Sequence, residues 1–136
     1  MYTHVLIPLA LDHKAATQPI IDLAERLLAP DGHITFLHVM EHIPAYVTSQ
    51  IDPDVLAGVR QDAMASLQAA ASGANVSATC EIVTGHAGRG ILDFAEKSGA
   101  ECIVIASHDP GLQDYLLGST AGRVVRHAHC SVHVMR

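Results

Sequence analysis

The chain has 136 residues, 49% of them apolar, and its 14 carboxylates against 8 Lys and Arg leave a formal charge of −6. That length suits one domain spanning 1–136 with a sizeable core, and a mean hydropathy of +0.26 argues against disorder. The acidic balance, without a basic stripe, excludes an electrostatic nucleic-acid binder, and no segment approaches the roughly 20 apolar residues of a membrane span.

The opening MYTHVLIPLALDHK has an apolar run with no basic region before it and no small-residue cleavage site, so a cytoplasmic protein is expected. Residues 5–8 read as a first strand. Ile20, Leu23, Ala24, Leu27 and Leu28 then form one apolar face at helical spacing, and Pro30-Asp31-Gly32 is the expected stop. A second strand at 34–39 leads into 41–54, a connection with two prolines and an aromatic. Its length fits either a lid or a surface excursion.

Leu56, Val59, Ala63, Leu67 and Ala70 mark a second helix, stopped at Ser72-Gly73, and 76–83 is a third strand. Ile91, Leu92 and Ala95 mark a third helix, stopped at Ser98-Gly99, and 102–106 is a fourth strand. Ala121, Val124, Val125 and Ala128 mark the last helix and 132–135 the last strand. Strict strand–helix alternation with right-handed crossovers predicts an α/β fold: a three-layer, doubly wound, five-stranded parallel sheet, for which 3-2-1-4-5 is adopted as the strand order. Such sheets bind ligands beyond the carboxyl ends of the strands where the order reverses, here between strands one and four. Pro8-Leu9-Ala10-Leu11-Asp12 and Ala106-Ser107-His108-Asp109-Pro110 therefore face the candidate site.

Several chemistries lack their residues. There is no GxxxxGK[ST], the only lysines are Lys14 and Lys97, and there is no GxSxG. Ser107 precedes His108, but adjacent residues need not present their side chains to one another, and no catalytic residue is assigned. Gly85-His86-Ala87-Gly88-Arg89-Gly90 is not a GxGxxG; it reads as a turn and helix start in which glycine permits positive φ. Cys80, Cys102 and Cys130 are odd in number and widely spaced, and they read as structural thiols. His127, His129 and His133 have no acidic neighbour to orient their rings, so no metal site is expected.

Gly118-Ser119-Thr120 is different. It opens the last helix, with Ser119 or Thr120 the natural N-cap, and its loop starts from the switch-point strand. A helix start there offers unpaired N–H groups and the positive end of the dipole to an anion. Simple capping is the plainer alternative.

The run IASH-P-YLLGS-A-VVRHA-CSV, spread over residues 105–132, resembles the universal stress protein family, especially its small single-domain bacterial members. Met1-Tyr2 through Ile7-Pro8 looks like the family's first strand, Phe36-Leu37-His38-Val39 like its second, and Gly85 with Ile91-Leu92 and Ala95 like its third crossover.

That resemblance implies a stress-response protein that binds an adenine nucleotide (ATP, ADP or AMP), with or without Mg²⁺, and catalyses at most slow ATP hydrolysis. Pro8 and Val39 would lie near base and ribose. Ala106, Ser107, Gly118, Ser119 and Thr120 would surround ribose and phosphates, with His108 a candidate phosphate donor. The family's GxxG-x9-G[ST] loop reads here as Ala106-Ser107-His108-Asp109, eight residues, then Gly118-Ser119, one residue shorter and with Asp109 bringing negative charge. Ala10 replaces the Asp that nucleotide-binding members usually carry after the first-strand proline, and Asp12 lies two positions later. Arg123 and Arg126 fit a solvated helix face, though they could offer charge to phosphates. The resemblance also implies a homodimer paired through Ser131–Met135, with a further protein partner left open. The alternatives are a nucleotide-free dimeric interaction module and, behind it, a weak phosphate-cleaving enzyme.

Overall fold

The computed structural model describes residues 1–11, 17–107 and 117–136. Its strands are β1 (Tyr2–Pro8), β2 (Leu28–Met40), β3 (Ser77–Thr84), β4 (Cys102–Ala106) and β5 (Ser131–Met135). Its helices are α1 (Thr17–Leu27), α2 (Ala45–Thr48), α3 (Pro53–Ala71), α4 (Ala87–Ser98) and α5 (Ser119–His127). All strand pairs are parallel and the order is β3-β2-β1-β4-β5, as expected.

The central strands are buried on both faces, so their sequences are nearly continuous apolar runs. On one face Val5, Ile7, Ile34, Phe36 and Val104 pack with Ile20, Ile21 and Ala24 of α1 and Leu67 of α3. On the other, Leu6, Leu37, Ile103 and Ile105 pack with Ile91 and Ala95 of α4 and Ala121 and Val124 of α5. The two sets alternate along each strand, which is why one helix pair covers each side.

One boundary departs from the sequence reading. The helix face was expected to include Leu28 and to stop at Pro30-Asp31-Gly32, but α1 ends at Leu27 and Leu28 is already buried in β2. The pairing explains it: Tyr2 faces Leu28 while His4 faces His33, so β2 holds three more residues than β1 over that stretch. The extra residues make a bulge inside the strand instead of a turn before it. The bulge is tight, since a Cβ on Gly32 would fall 2.8 Å from Leu28 Cδ2 and 3.0 Å from the Tyr2 carbonyl oxygen.

The 41–54 connection carries the one-turn α2, none of whose residues is buried, and Tyr46 on it is 74% exposed. Asp52 then caps α3 by accepting from the Asp54 N–H at 2.9 Å, with Pro53 in the first turn. Burial pushes the thiols of Cys80, Cys102 and Cys130 up, away from thiolate chemistry; Glu81 adds to the effect at Cys80, and Cys130 adds to it at Cys102. Among the described residues, no helix is long and apolar enough to cross a membrane, and no group of three His, Cys, Asp or Glu is placed to hold a metal ion.

Candidate functional site

A cavity of about 740 Å³ opens at the carboxyl ends of β1, β2 and β4. That is within the roughly 300–1,000 Å³ typical of small-molecule sites. Pro8, Leu9 and Ala10 form its floor, and Val39 and Glu41 flank it from the end of β2. Ala106 and Ser107 leave β4 on the opposite side, where Gly118, Ser119 and Thr120 begin α5. Pro8, Val39, Ala106, Ser107, Gly118, Ser119 and Thr120, singled out from sequence, thus line one cavity. His108, Asp109, Pro110 and Asp12 lie outside the described residues.

The start of α5 corrects one sequence expectation. Gly118, not Ser119 or Thr120, occupies the N-cap position, with φ −57° and ψ 155°, and no side chain caps the first turn. The chain's path explains this. Gly118 donates its N–H to the Ser107 carbonyl at 2.6 Å, and its own carbonyl accepts the first helical bond from Gly122 at 2.8 Å. Ser119 and Thr120 are therefore already inside the helix. Their N–H groups and that of Ala121 belong to the first turn, which has no intrahelical acceptors. The result is a set of main-chain donors, with the positive end of the helix dipole, at the cavity wall.

Ser107 is 3% exposed and donates its N–H to the Met135 carbonyl at 2.7 Å, which fixes the end of β4 against β5. Across the cavity, the Leu9 N–H donates to the Leu37 carbonyl at 2.8 Å, and His38 Nδ1 donates to the Leu9 carbonyl at 2.8 Å. The strand-one exit is therefore held to β2 by one main-chain and one side-chain bond.

Sequence reasoning missed His38, although it stands one residue before Val39 at the carboxyl end of a strand, where a polar side chain is a usable signal. It also missed the contribution of α3. Val59, Asp62, Ala63 and Ser66 all line the cavity, and their i, i+3, i+4, i+7 spacing is one helix face. Val59 and Ala63 were read only as part of an apolar face with Leu56, Leu67 and Ala70, but among the described residues of α3 only Leu67 is buried. Arg60 donates to the Ile82 carbonyl at 3.3 Å and ties the helix to β3.

The glycine-rich 85–90 segment is a turn and helix start, as read. Gly85 has φ +149°, and α4 begins at Ala87. The remaining glycines allow close packing: a Cβ on Gly88 would fall 2.8 Å from Arg123 Cδ, and one on Gly90 would fall 3.0 Å from Val39 Cγ1. Arg123 therefore lies along α4, away from the cavity lining. Arg126, His127, His129 and His133 are exposed.

The sequence model of the Universal stress protein family matches residues 1–136. The chain belongs to the universal stress protein family. Universal stress protein A homolog 2 of Coxiella burnetii is 30% identical over 142 residues, covering 99% of this chain and 95% of that protein. The universal stress protein UspA from Lactobacillus plantarum is 28% identical and superposes with a TM-score of 0.73, over 99% of this chain and 98% of that one. A universal stress protein family protein from Arabidopsis thaliana, solved with AMP bound, superposes with a TM-score of 0.64 at 19% identity, over 98% and 90% of the two chains.

Proposed function

We propose that this universal stress protein binds an adenine nucleotide in the cavity between β1 and β4. The observation that carries the proposal is the uncapped first turn of α5 in the wall of a cavity large enough for a nucleotide, at the point where strand order reverses. The charged tail sits against the N–H groups of Ser119, Thr120 and Ala121 and the neighbouring hydroxyls. The purine lies toward Pro8 and Val39, whose apolar surfaces suit a flat ring. The AMP carried by the Arabidopsis thaliana family member supports this choice of ligand. His108 remains a candidate phosphate donor, and Mg²⁺ an accompanying ion for polyphosphates. The protein acts in the cytoplasm, as a single domain over 1–136, by ligand-dependent contact with a partner and not by efficient catalysis.

Among the described residues β5 is an edge strand that pairs with no strand but β4, with Val132 and Val134 half-buried against the core. An uncovered edge invites pairing. A second copy joined antiparallel along Ser131–Met135 covers it and makes a two-fold symmetric homodimer. Sedimentation should then give twice the 14.4 kDa chain mass, and a monomer at micromolar concentration counts against the pairing.

The test of the ligand is direct. Purified, undialysed protein is denatured and its supernatant analysed for nucleotide, and the melting temperature is followed as AMP, ADP or ATP is added. An adenine nucleotide in the extract, or a dose-dependent rise in melting temperature, is expected. An empty extract with flat titrations to millimolar leaves the dimeric interaction module as the better reading.

A further inference from the structure

The cavity is electrically one-sided. Among its described lining residues the titratable side chains are His38, Glu41 and Asp62, and there is no Lys or Arg.

Of the described cations outside the lining, five are placed away from it, while Arg89 is exposed in the first turn of α4 and Arg136 follows β5. Arg60 is bonded to the Ile82 carbonyl, and Arg123 packs over Gly88. Arg26, Lys97 and Arg126 occupy the last turns of α1, α4 and α5. In a parallel α/β sheet those turns lie at the opposite end from the cavity. Within the described lining, attraction for an anion therefore comes from main-chain amides, above all the α5 N-terminus, which is worth about half a positive charge and fades within the first turn.

We propose that Glu41 and Asp62 make this site select a nucleoside monophosphate over the corresponding di- and triphosphate; the inference rests on the nucleotide reading above. One phosphate can be seated wholly within reach of the α5 amides. Each further phosphoryl group brings negative charge with no side-chain cation among the described lining residues to meet it, into a cavity that already holds two carboxylates. Glu41 follows β2 and Asp62 stands on α3, so both lie across β1 from the α5 amides. The site is a dipole: positive at the helix start, negative at the far wall. It suits a ligand with one anionic end and a neutral end carrying hydroxyl or amine donors. Both carboxylates are exposed, so their selectivity is salt-sensitive.

The test is calorimetric titration of the full chain with AMP, ADP and ATP in EDTA at low ionic strength, repeated on the double variant Glu41→Gln, Asp62→Asn. Both positions are exposed, which spares the fold. AMP is expected to bind at least about tenfold more tightly than ATP, with ADP between, and the gap should shrink to about threefold or less in the double variant. If ATP binds the parent chain as tightly as AMP, charge selection is overturned and the nucleotide reading stands. A gap that survives unchanged in the double variant overturns the assignment to Glu41 and Asp62. If no nucleotide binds at millimolar concentration, the nucleotide reading itself falls.

Discussion

His4 and His33 stack nearly face to face, with ring centroids 4.2 Å apart and planes 19° apart. The pair lies at the amino ends of β1 and β2, away from the cavity. His4 Nε2 shares a 2.8 Å hydrogen bond with the Thr35 hydroxyl, which in turn lies 3.2 Å from the Thr79 hydroxyl. His4 is buried, and burial is the main force holding its pKa below the ordinary histidine value. His33 adds to that, while a backbone hydrogen bond at Ser98 and the Glu101 carboxylate oppose it. Because the folded pKa is the lower one, the unfolded chain binds the proton more readily. Stability is therefore full above the unfolded value of about 6.5 and declines as pH falls toward the folded pKa. Thermal melts between pH 7.5 and 5.5 should show this decline, and His4→Gln should flatten it. A parent chain equally stable across that range would contradict the account. Glu101 acts in a lower window: hydrogen bonds from the Thr3 hydroxyl and N–H hold its carboxyl below the usual range. Its contribution is lost as pH falls below about 4.3.

Ser119→Pro separates ligand binding from folding. Ser119 is the first residue of α5, where proline is tolerated because the N–H has no helical partner. Gly118 at φ −57°, ψ 155° already has the extended backbone that must precede a proline. Removing that donor should leave the melting temperature within a degree or two and weaken AMP binding about tenfold. Unchanged affinity would remove the α5 amides from the site.

Gly118→Val approaches the same wall differently. Its φ lies in a region open to all residues, so the backbone accepts the change, but a branched side chain crowds the helix start. Nucleotide affinity should fall more than stability does. Equal losses by calorimetry and denaturant unfolding would count against a site there.

Gly88 and Gly90 should respond differently to alanine although both lie on α4. At Gly88 the new Cβ meets Arg123 Cδ, the movable stem of an exposed side chain, and the gain in helix propensity makes Gly88→Ala neutral or slightly stabilising. At Gly90 it meets both γ-methyls of Val39, a β-branched residue with little freedom to turn aside. Gly90→Ala should be the less stable of the two by about 1 kcal/mol in urea unfolding. Because Val39 lines the cavity, it should also weaken nucleotide binding.

Leu67→Ala should cost about 2–5 kcal/mol, since it is the fully buried anchor of α3. The same change loosens the helix that brings Asp62 and Ser66 to the cavity. Ligand affinity should fall in parallel, measured well below the melting temperature.

Most of the sheet was readable because strands buried on both sides must be apolar runs, and runs separated by helical faces admit few topologies. The parallel, doubly wound sheet followed from that, and with the order 3-2-1-4-5 the mouth between Pro8 and Ser107 followed in turn. The bulge at Pro30-Asp31-Gly32 did not, because the same residues that stop a helix also permit a strand to fold out and back; only the pairing of Tyr2 with Leu28 distinguishes them. The N-cap was misplaced by one or two residues for a similar reason. Hydroxyl side chains favour that position, but the bond from Gly118 to Ser107 sets the actual one. The cavity face of α3 was hidden because its small and apolar residues look the same whether they meet a core or an open cleft.

The 2.6 Å bond between Gly118 N and Ser107 O has an evolutionary corollary. The chain leaves β4 at Ser107 and enters α5 at Gly118 through bonded atoms, so the two ends of the intervening stretch are clasped whatever its length. Closing a somewhat longer or shorter span costs little extra entropy. Insertions and deletions between those ends can therefore accumulate without disturbing β4 or α5, and descendants inherit the start of α5 intact.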